Sequence, residues 1–166
     1  MKQLEDILTE KIFKLVNYAL SKTIKPDITL ENVRQINEDG IKVLKNKYEI
    51  EGIILDVDDT LRRDMKMLPK VNKEWLDMMK RNFKVTVVSN GLDGKIEEYL
   101  KQKGIDYIFF ANKPLKGGFK KACARMNLKP EKVLVIGDSR FDDIYGGKRN
   151  NMYTALVKDV EEEERE

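Results

Sequence analysis

The segment "GIILDVDDTLRR", Gly52–Arg63, runs an aliphatic stretch straight into three carboxylates, Asp56, Asp58 and Asp59, with two arginines beyond them. Two carboxylates about 4 Å apart repel by roughly 4 kcal/mol at an effective dielectric of about 20. Such crowding calls for a counter-charge, a metal ion or a shared proton. Three later apolar runs also end in polar groups. "KVTVVS" leads through Ser89 to Asn90 and Gly91. "DYIFF" leads to "ANKPLKGG", with Lys113 and Lys116, and "KVLVIG" leads to "DSRFDD", with Asp138, Asp142 and Asp143. Taken singly, each cluster is an ordinary turn or helix cap. Brought to one place, they make a set with a definite chemistry. Asp56 and Asp138 suit a hard cation such as Mg²⁺, which takes carboxylate, water and phosphate oxygens. Asp56 could also attack phosphorus and form an aspartyl phosphate. Asp58, two residues on, is placed to protonate a leaving oxygen and then to activate water. Ser89 and neighbouring N–H groups could bind phosphate oxygens, while a lysine neutralises charge in the transition state.

Positioning these groups requires strands whose ends share an edge, and the pattern supplies them. From Gly52 onward, apolar runs at 52–56, 84–89, 106–110, 132–137 and 152–157 alternate with helical patterns around 72–81, 95–103, 118–126 and 143–149. Strands that are apolar throughout belong to a sheet covered on both faces. The expected fold is an α/β doubly wound parallel sheet, with ligands at the carboxyl ends of the strands. Residues 1–50 read as a helical extension packed on the core. Leu4, Ile7, Leu8, Ile12, Leu15, Val16 and Ala19 recur at helical spacing, "IKPD" ends that helix, and 38–47 forms a second one. A membrane-surface helix is the alternative for the first, because Lys11, Lys14 and Lys22 lie among the apolar positions. The expected division is 1–50 for the extension, 51–160 for the core and 161–166 for an acidic tail.

Composition narrows the class. With 41% hydrophobic and 37% charged residues in 166, the chain reads as one soluble globular domain. No apolar run approaches the roughly 20 residues of a membrane span, and the first twenty residues lack a signal-peptide core. The single Cys123 can form no internal disulfide and sits in a helical pattern. These features point to the cytoplasm. The net charge of +3 contains a tail of five Glu and one Arg, worth −4, so residues 1–160 carry +7. That excess is scattered and lacks interleaved aromatics, which argues against nucleic acid and allows an anionic small substrate or surface.

Asp56-Val57-Asp58-Asp59-Thr60, "VVSN", "NKP" and "GDSRFDD", in that order, resemble the four motifs of the haloacid dehalogenase superfamily of phosphatases. More closely, the stretch from about Ile24 to Val157 is similar to the YqeG-like group of subclass IIIA, related to mitochondrial phosphatidylglycerophosphate phosphatases. The resemblance implies Asp56 as nucleophile, Asp58 as general acid and base, and Thr60 as support for their loop. It implies Ser89, with Asn90 and Gly91, as the phosphate-binding segment and Lys113 as the charge neutraliser. Mg²⁺ would be held by Asp56, the Asp58 backbone carbonyl and Asp138, with Asp143 positioning the metal shell. Asp59 and Asp142 stand where Asn and Thr are common among these relatives, and Arg62 and Arg63 where less basic residues are expected.

Only about thirty residues separate Asp56 from Ser89, and fewer separate Ser89 from Lys113, so no cap domain fits between the motifs. An open site suits either a small phosphorylated molecule or a lipid headgroup at a membrane surface. The N-terminal lysines and both arginines could add about 1 kcal/mol per basic residue near anionic lipid. An oligomer could instead roof the site. Two readings from other classes compete: a receiver domain phosphorylated on aspartate, and a catalytically idle scaffold. A receiver would carry its acceptor Asp after the third strand, where Ala111, Asn112 and Lys113 stand here; an idle scaffold need not keep every motif residue, as this chain does.

Overall fold

The computed structural model describes residues 2–158. Six parallel strands form one sheet in the order β1-β6-β5-β2-β3-β4. These are β1 (Ile28–Leu30), β2 (Gly52–Leu55), β3 (Lys84–Val88), β4 (Asp106–Ile108), β5 (Val133–Gly137) and β6 (Tyr153–Val157). β2 sits centrally, pairing Leu55 with Val87 on one side and with Ile136 on the other. The expected runs are strands, and from each of the first four, β2 to β5, the chain passes to a helix. These helices are α3 (Lys70–Asn82), α4 (Gly94–Gln102), α5 (Lys116–Met126) and the short α6 (Gly146–Arg149).

The sheet is apolar throughout because it is covered twice. Ile53, Leu55, Val87, Leu134 and Ile136 face a core that includes Trp75, Leu76 and Met79 of α3 and Ile96 and Leu100 of α4. Ile54, Val88, Val133 and Val135 face Phe119, Ala122 and Met126 of α5. The alternation of Ile53, Ile54 and Leu55 between these two cores is the period-two geometry of a strand. No cap domain interrupts it: residues 56–69 form a loop between β2 and α3, and five residues separate β3 from α4.

The first fifty residues depart from a purely helical extension. The helix α2 (Glu38–Asn46) lies where 38–47 was expected, capped by Asn37, whose side chain accepts from the Asp39 and Gly40 N–H groups. Between α1 (Lys2–Thr23) and α2, however, the chain adds the edge strand β1, in register with Ala155–Val157. Asp27 anchors its entry, accepting from the Thr154 N–H at 2.8 Å.

α1 does not bury its apolar positions on the core. Its contact with the domain is part polar and part aromatic: Asn17 and Ser21 are buried, Asn17 Oδ1 accepts a hydrogen bond from the Tyr145 hydroxyl, and Tyr18 packs edge to face on Phe141. Ile7, Leu8, Ile12, Phe13, Leu15 and Val16 remain about half exposed or more, with Leu15 at 68%. The helix is therefore tethered near its C-terminal end to residues 140–145. The acidic tail at 161–166 lies outside the described residues.

Candidate active site

The carboxyl ends of β2, β3 and β5, with the loop after β4, meet at one edge. They enclose an open pocket of about 360 Å³ lined by Asp56, Asp58, Ser89, Lys113, Asp138 and Asp143, among others. Asp56 follows β2 directly, and its N–H donates to the Ile136 carbonyl at 3.0 Å, extending the β2–β5 ladder by one residue. The chain then coils tightly: the N–H groups of Thr60, Leu61 and Arg62 all donate to the Val57 carbonyl. Asp59 takes a left-handed conformation there, with φ of 56°. Asp and Asn tolerate that region best among residues with a side chain, so Asp59 holds this turn without a glycine.

Carboxylate oxygens of Asp56, Asp138 and Asp143 lie within 4.8 Å of one another. Lys113 Nζ is driven between two of them, 2.7 Å from Asp56 Oδ1 and 2.6 Å from Asp143 Oδ1. Burial alone would lower the lysine's pKa, but the charges of Asp143 and Asp56 outweigh it and raise the ammonium well above its ordinary range. Both Asp138 and Asp143 are pushed up, first by burial and then by neighbouring carboxylates, which Lys113 offsets only in part at Asp143. Three ionised carboxylates against one ammonium would leave this cluster with two negative charges in excess. A hard divalent cation with oxygen ligands has the charge and the donor preference to fit it.

The supporting groups are equally local. Thr60 is buried behind the carboxylates rather than facing the pocket; its hydroxyl lies 3.3 Å from both Asp56 Oδ2 and Asp138 Oδ1. Asp143 Oδ2 accepts from the Ser139 N–H at 3.2 Å. That carboxylate packs so closely on Gly137 that a Cβ at this position would collide with it. Ser89 Oγ accepts from the Gly91 N–H at 3.1 Å. Asn90 brackets the lysine: its Oδ1 accepts from the Lys113 N–H at 2.6 Å and its Nδ2 donates to the Lys113 carbonyl at 3.3 Å. Asp142 also lines the pocket, but Asp143 joins the Asp56–Asp138 cluster. Lys116 opens α5, exposed and outside the pocket.

Arg62 corrects an expectation. It is only 2% exposed, so it cannot serve as a surface cation for anionic lipid. Its Nε donates to Asp58 Oδ1 at 2.8 Å and its Nη1 to Asp93 Oδ2 at 2.8 Å. Asp93 in turn caps α4, its Oδ1 accepting from the Lys95 and Ile96 N–H groups. Asp93 and Ser139 are structural partners of the site that the motifs did not single out. A capping Asp before "GKIEEYL" was visible, but its pairing with Arg62 is a contact across 31 residues.

A fully parallel sheet with a carboxylate cluster and a bracketed lysine at its carboxyl edge is an α/β fold with a charged site suited to a cation and an anionic group. The chain belongs to the haloacid dehalogenase-like hydrolases, whose family model matches residues 63–151. A second family model, mitochondrial PGP phosphatase, matches residues 9–105. Among individual proteins, the chain is 35% identical over 143 residues to the probable phosphatase YqeG of Bacillus subtilis, covering 85% of this chain and 81% of that protein. A glyceraldehyde 3-phosphate phosphatase of Pyrococcus furiosus is 28% identical over 103 residues, 57% of this chain and 43% of that one. The fold is shared with a subfamily III A hydrolase of the same superfamily from Legionella pneumophila (TM-score 0.57, 17% identity, 72% of this chain and 71% of that one). It is shared too with the cobalt-bound deoxy-D-mannose-octulosonate 8-phosphate phosphatase of Haemophilus influenzae (TM-score 0.54, 16% identity, 67% and 71%). The protein is accordingly a phosphatase of this family, with an acidic site able to hold a divalent metal.

Proposed function

We propose that the protein hydrolyses a phosphate monoester through an aspartyl phosphate formed on Asp56. The observation that carries this reading is the convergence of Asp56, Asp58, Ser89 and Lys113 on one pocket beside the Asp138–Asp143 pair. In the first half-reaction an Asp56 carboxylate oxygen attacks phosphorus and the bond to the ester oxygen breaks. Asp58 gives its proton to the departing alcohol. Arg62 engages Asp58 through Oδ1, which leaves Oδ2 free to carry that proton. In the second half, Asp58 takes a proton from water, the hydroxide attacks phosphorus, and Asp56 departs with inorganic phosphate released. Ser89 and the Gly91 segment hold phosphate oxygens, and Lys113, fixed by Asn90, balances the charge that develops on them. Asp56, Asp138 and Asp143, with the Asp58 carbonyl, would hold Mg²⁺, which supplies further neutralisation of the phosphoryl group.

The test is turnover of para-nitrophenyl phosphate with and without Mg²⁺. Asp58→Asn should lose more rate on alkyl than on aryl phosphates, since a poor leaving group needs the proton most. Equal losses on both would remove Asp58 from that role. A protein inactive on every monoester with any divalent metal would fit an idle scaffold instead.

A second reading is favoured by the PGP phosphatase family match and by the apolar positions left exposed on α1: a lipid phosphate cleaved at a membrane surface. Among the described residues no helix is long and apolar enough to cross a membrane, so contact would be peripheral. Co-sedimentation with anionic vesicles, paired with turnover of the lipid phosphate in them, decides it. Protein left in the supernatant at low salt with intact lipid would sink this reading and leave the phosphatase untouched.

A further inference from the structure

Beside the acidic pocket lies a second cavity, of about 700 Å³, closed on one side by α1 and on the other by Pro114, Leu115 and Phe141. The two spaces share Asn90 and Lys113 in their linings. Its walls are more apolar than those of the acidic pocket, although Glu10, Lys14 and Arg149 also line it. Phe13 and Tyr18 from α1 meet Leu115 and Phe141 from the domain, and Tyr18 and Phe141 pack edge to face at 6.2 Å. Phe13, Tyr18 and Leu115 each keep about half of their surface uncovered although they line this recess.

α1 is held there by design of its contacts. Asn17 is buried and receives the Tyr145 hydroxyl, while its own amide donates to the Phe13 carbonyl at 2.8 Å. Tyr145 stacks on Phe141 at 6.1 Å, so the wall of the cavity is continuous with residues 140–145, which follow Asp138. The helix thus stands where the motif spacing leaves no cap, and it supplies aromatic surface next to the lysine.

Resting on the phosphatase reading above, we propose that this cavity is the leaving-group subsite, and that it selects phosphate monoesters whose alcohol carries an apolar ring or hydrocarbon close to the ester oxygen. A cavity of this size lies within the range that small-molecule sites occupy. Phe13, Tyr18, Leu115 and Phe141 give it its apolar surface, and Glu10, Lys14 and Arg149 line it together with the Asn90–Lys113 end. The shared Lys113 and Asn90 place that polar end at the phosphate site. An apolar alcohol would cover the exposed faces of Phe13, Tyr18 and Leu115, which a sugar or glycerol would cover with less gain. The ring could belong to a soluble aryl ester or the hydrocarbon to an alkyl phosphate.

The experiment compares kcat/KM for 1-naphthyl phosphate, hexyl phosphate and glycerol phosphate, and binding of the matching phosphonates by calorimetry. Both apolar esters should exceed glycerol phosphate by about tenfold or more, the return expected from burying a ring or a short chain. Comparing naphthyl with hexyl separates a ring from a chain as the occupant. Naphthyl and hexyl phosphates differ in leaving-group chemistry, so the phosphonates, which are not cleaved, must rank in the same order. Phe13→Ser and Leu115→Ser should each cut the apolar preference severalfold, while Leu8→Ser, on α1 but outside the cavity, should leave it unchanged. Preference absent in the wild type, untouched by Phe13→Ser and Leu115→Ser, or equally reduced by Leu8→Ser would overturn the subsite. If no ester is cleaved, the phosphatase reading fails by itself. Phosphonate binding then judges the subsite alone: apolar selectivity lost in Phe13→Ser upholds it, and equal or absent binding ends it.

Discussion

Lys113 and Arg62 are both buried bases at the same sheet edge, and each clasps two carboxylates, yet they do different work. Lys113 holds Asp56 and Asp143 with a single compact ammonium inside the acidic pocket. Arg62 holds Asp58 and Asp93 with separate nitrogens of its planar fork, and its Nη1 also reaches the Lys66 carbonyl at 3.2 Å. A lysine is a point charge that can turn from a carboxylate to an arriving phosphate oxygen. A guanidinium with several directed bonds is committed to its geometry. The difference separates a charge that takes part in chemistry from one that fixes the loop carrying Asp58 to the start of α4.

The comparison is anchored by Asp56, the group that Lys113 serves. Asp56→Asn should lower turnover by roughly 10³-fold or more, since an amide does not attack phosphorus. Near-normal turnover would remove the whole active-site assignment. Lys113→Ala should cost roughly 10² to 10³-fold, the range for deleting one preorganised charge-stabilising group. Lys116→Ala, exposed and outside the pocket, should stay within about twofold. The reverse ranking would give the catalytic role to Lys116.

Arg62→Met sharpens the other half. Removing one member of a fully buried pair costs about 3–5 kcal/mol. Here the Asp58 side chain is 46% exposed and Asp93 19%, so water can reach the stranded charges. The expected loss is about 1–3 kcal/mol in urea unfolding. Stability unchanged within error would mean that Arg62 does not hold this loop.

The same two residues mark where sequence reading succeeded and stopped. Lys113 was legible because it follows an apolar strand, precedes a proline and stands in motif order. Arg62 was expected at the surface because a long charged side chain usually is, and only the fold brings Asp93 to it from the next strand end. The strands of the sheet were legible since double coverage makes them apolar throughout, but β1 has only three residues, with pairing partners more than 120 positions away. α1 was recognised as a helix by its period, yet it docks through Asn17 on Tyr145 and Tyr18 on Phe141, neither of which belongs to the apolar repeat. Parallel topology gathers Asp56 and Asp138 from strand ends that are distant in the chain, whereas the choice of Asp143 over Asp142 came from the family resemblance.

The smallest expected effect concerns the charge that Lys113 leaves unbalanced. Asp138 is raised to about 6 and Asp143 to about 7, in each case by burial first and then by neighbouring acids. An acid whose folded pKa lies above its unfolded value, near 3.9 for Asp, binds protons more tightly when folded. Its protonation therefore favours the fold, and that contribution falls away as pH rises from about 4 through 6 to 7. Metal-free protein should be less stable at pH 8 than at pH 5 by a few degrees in Tm. A divalent cation needs these carboxylates ionised, so Mg²⁺ should raise Tm more at pH 8 than at pH 5. Asp143→Asn should flatten the metal-free pH dependence, because its amide carries no titrating proton. Differential scanning calorimetry in EDTA and in Mg²⁺ at the two pH values checks all three. If Mg²⁺ gave the same shift at both, or if Asp143→Asn kept the full slope, the acids would not be the groups that a metal balances. Lys113 would then suffice as the counter-charge of this edge.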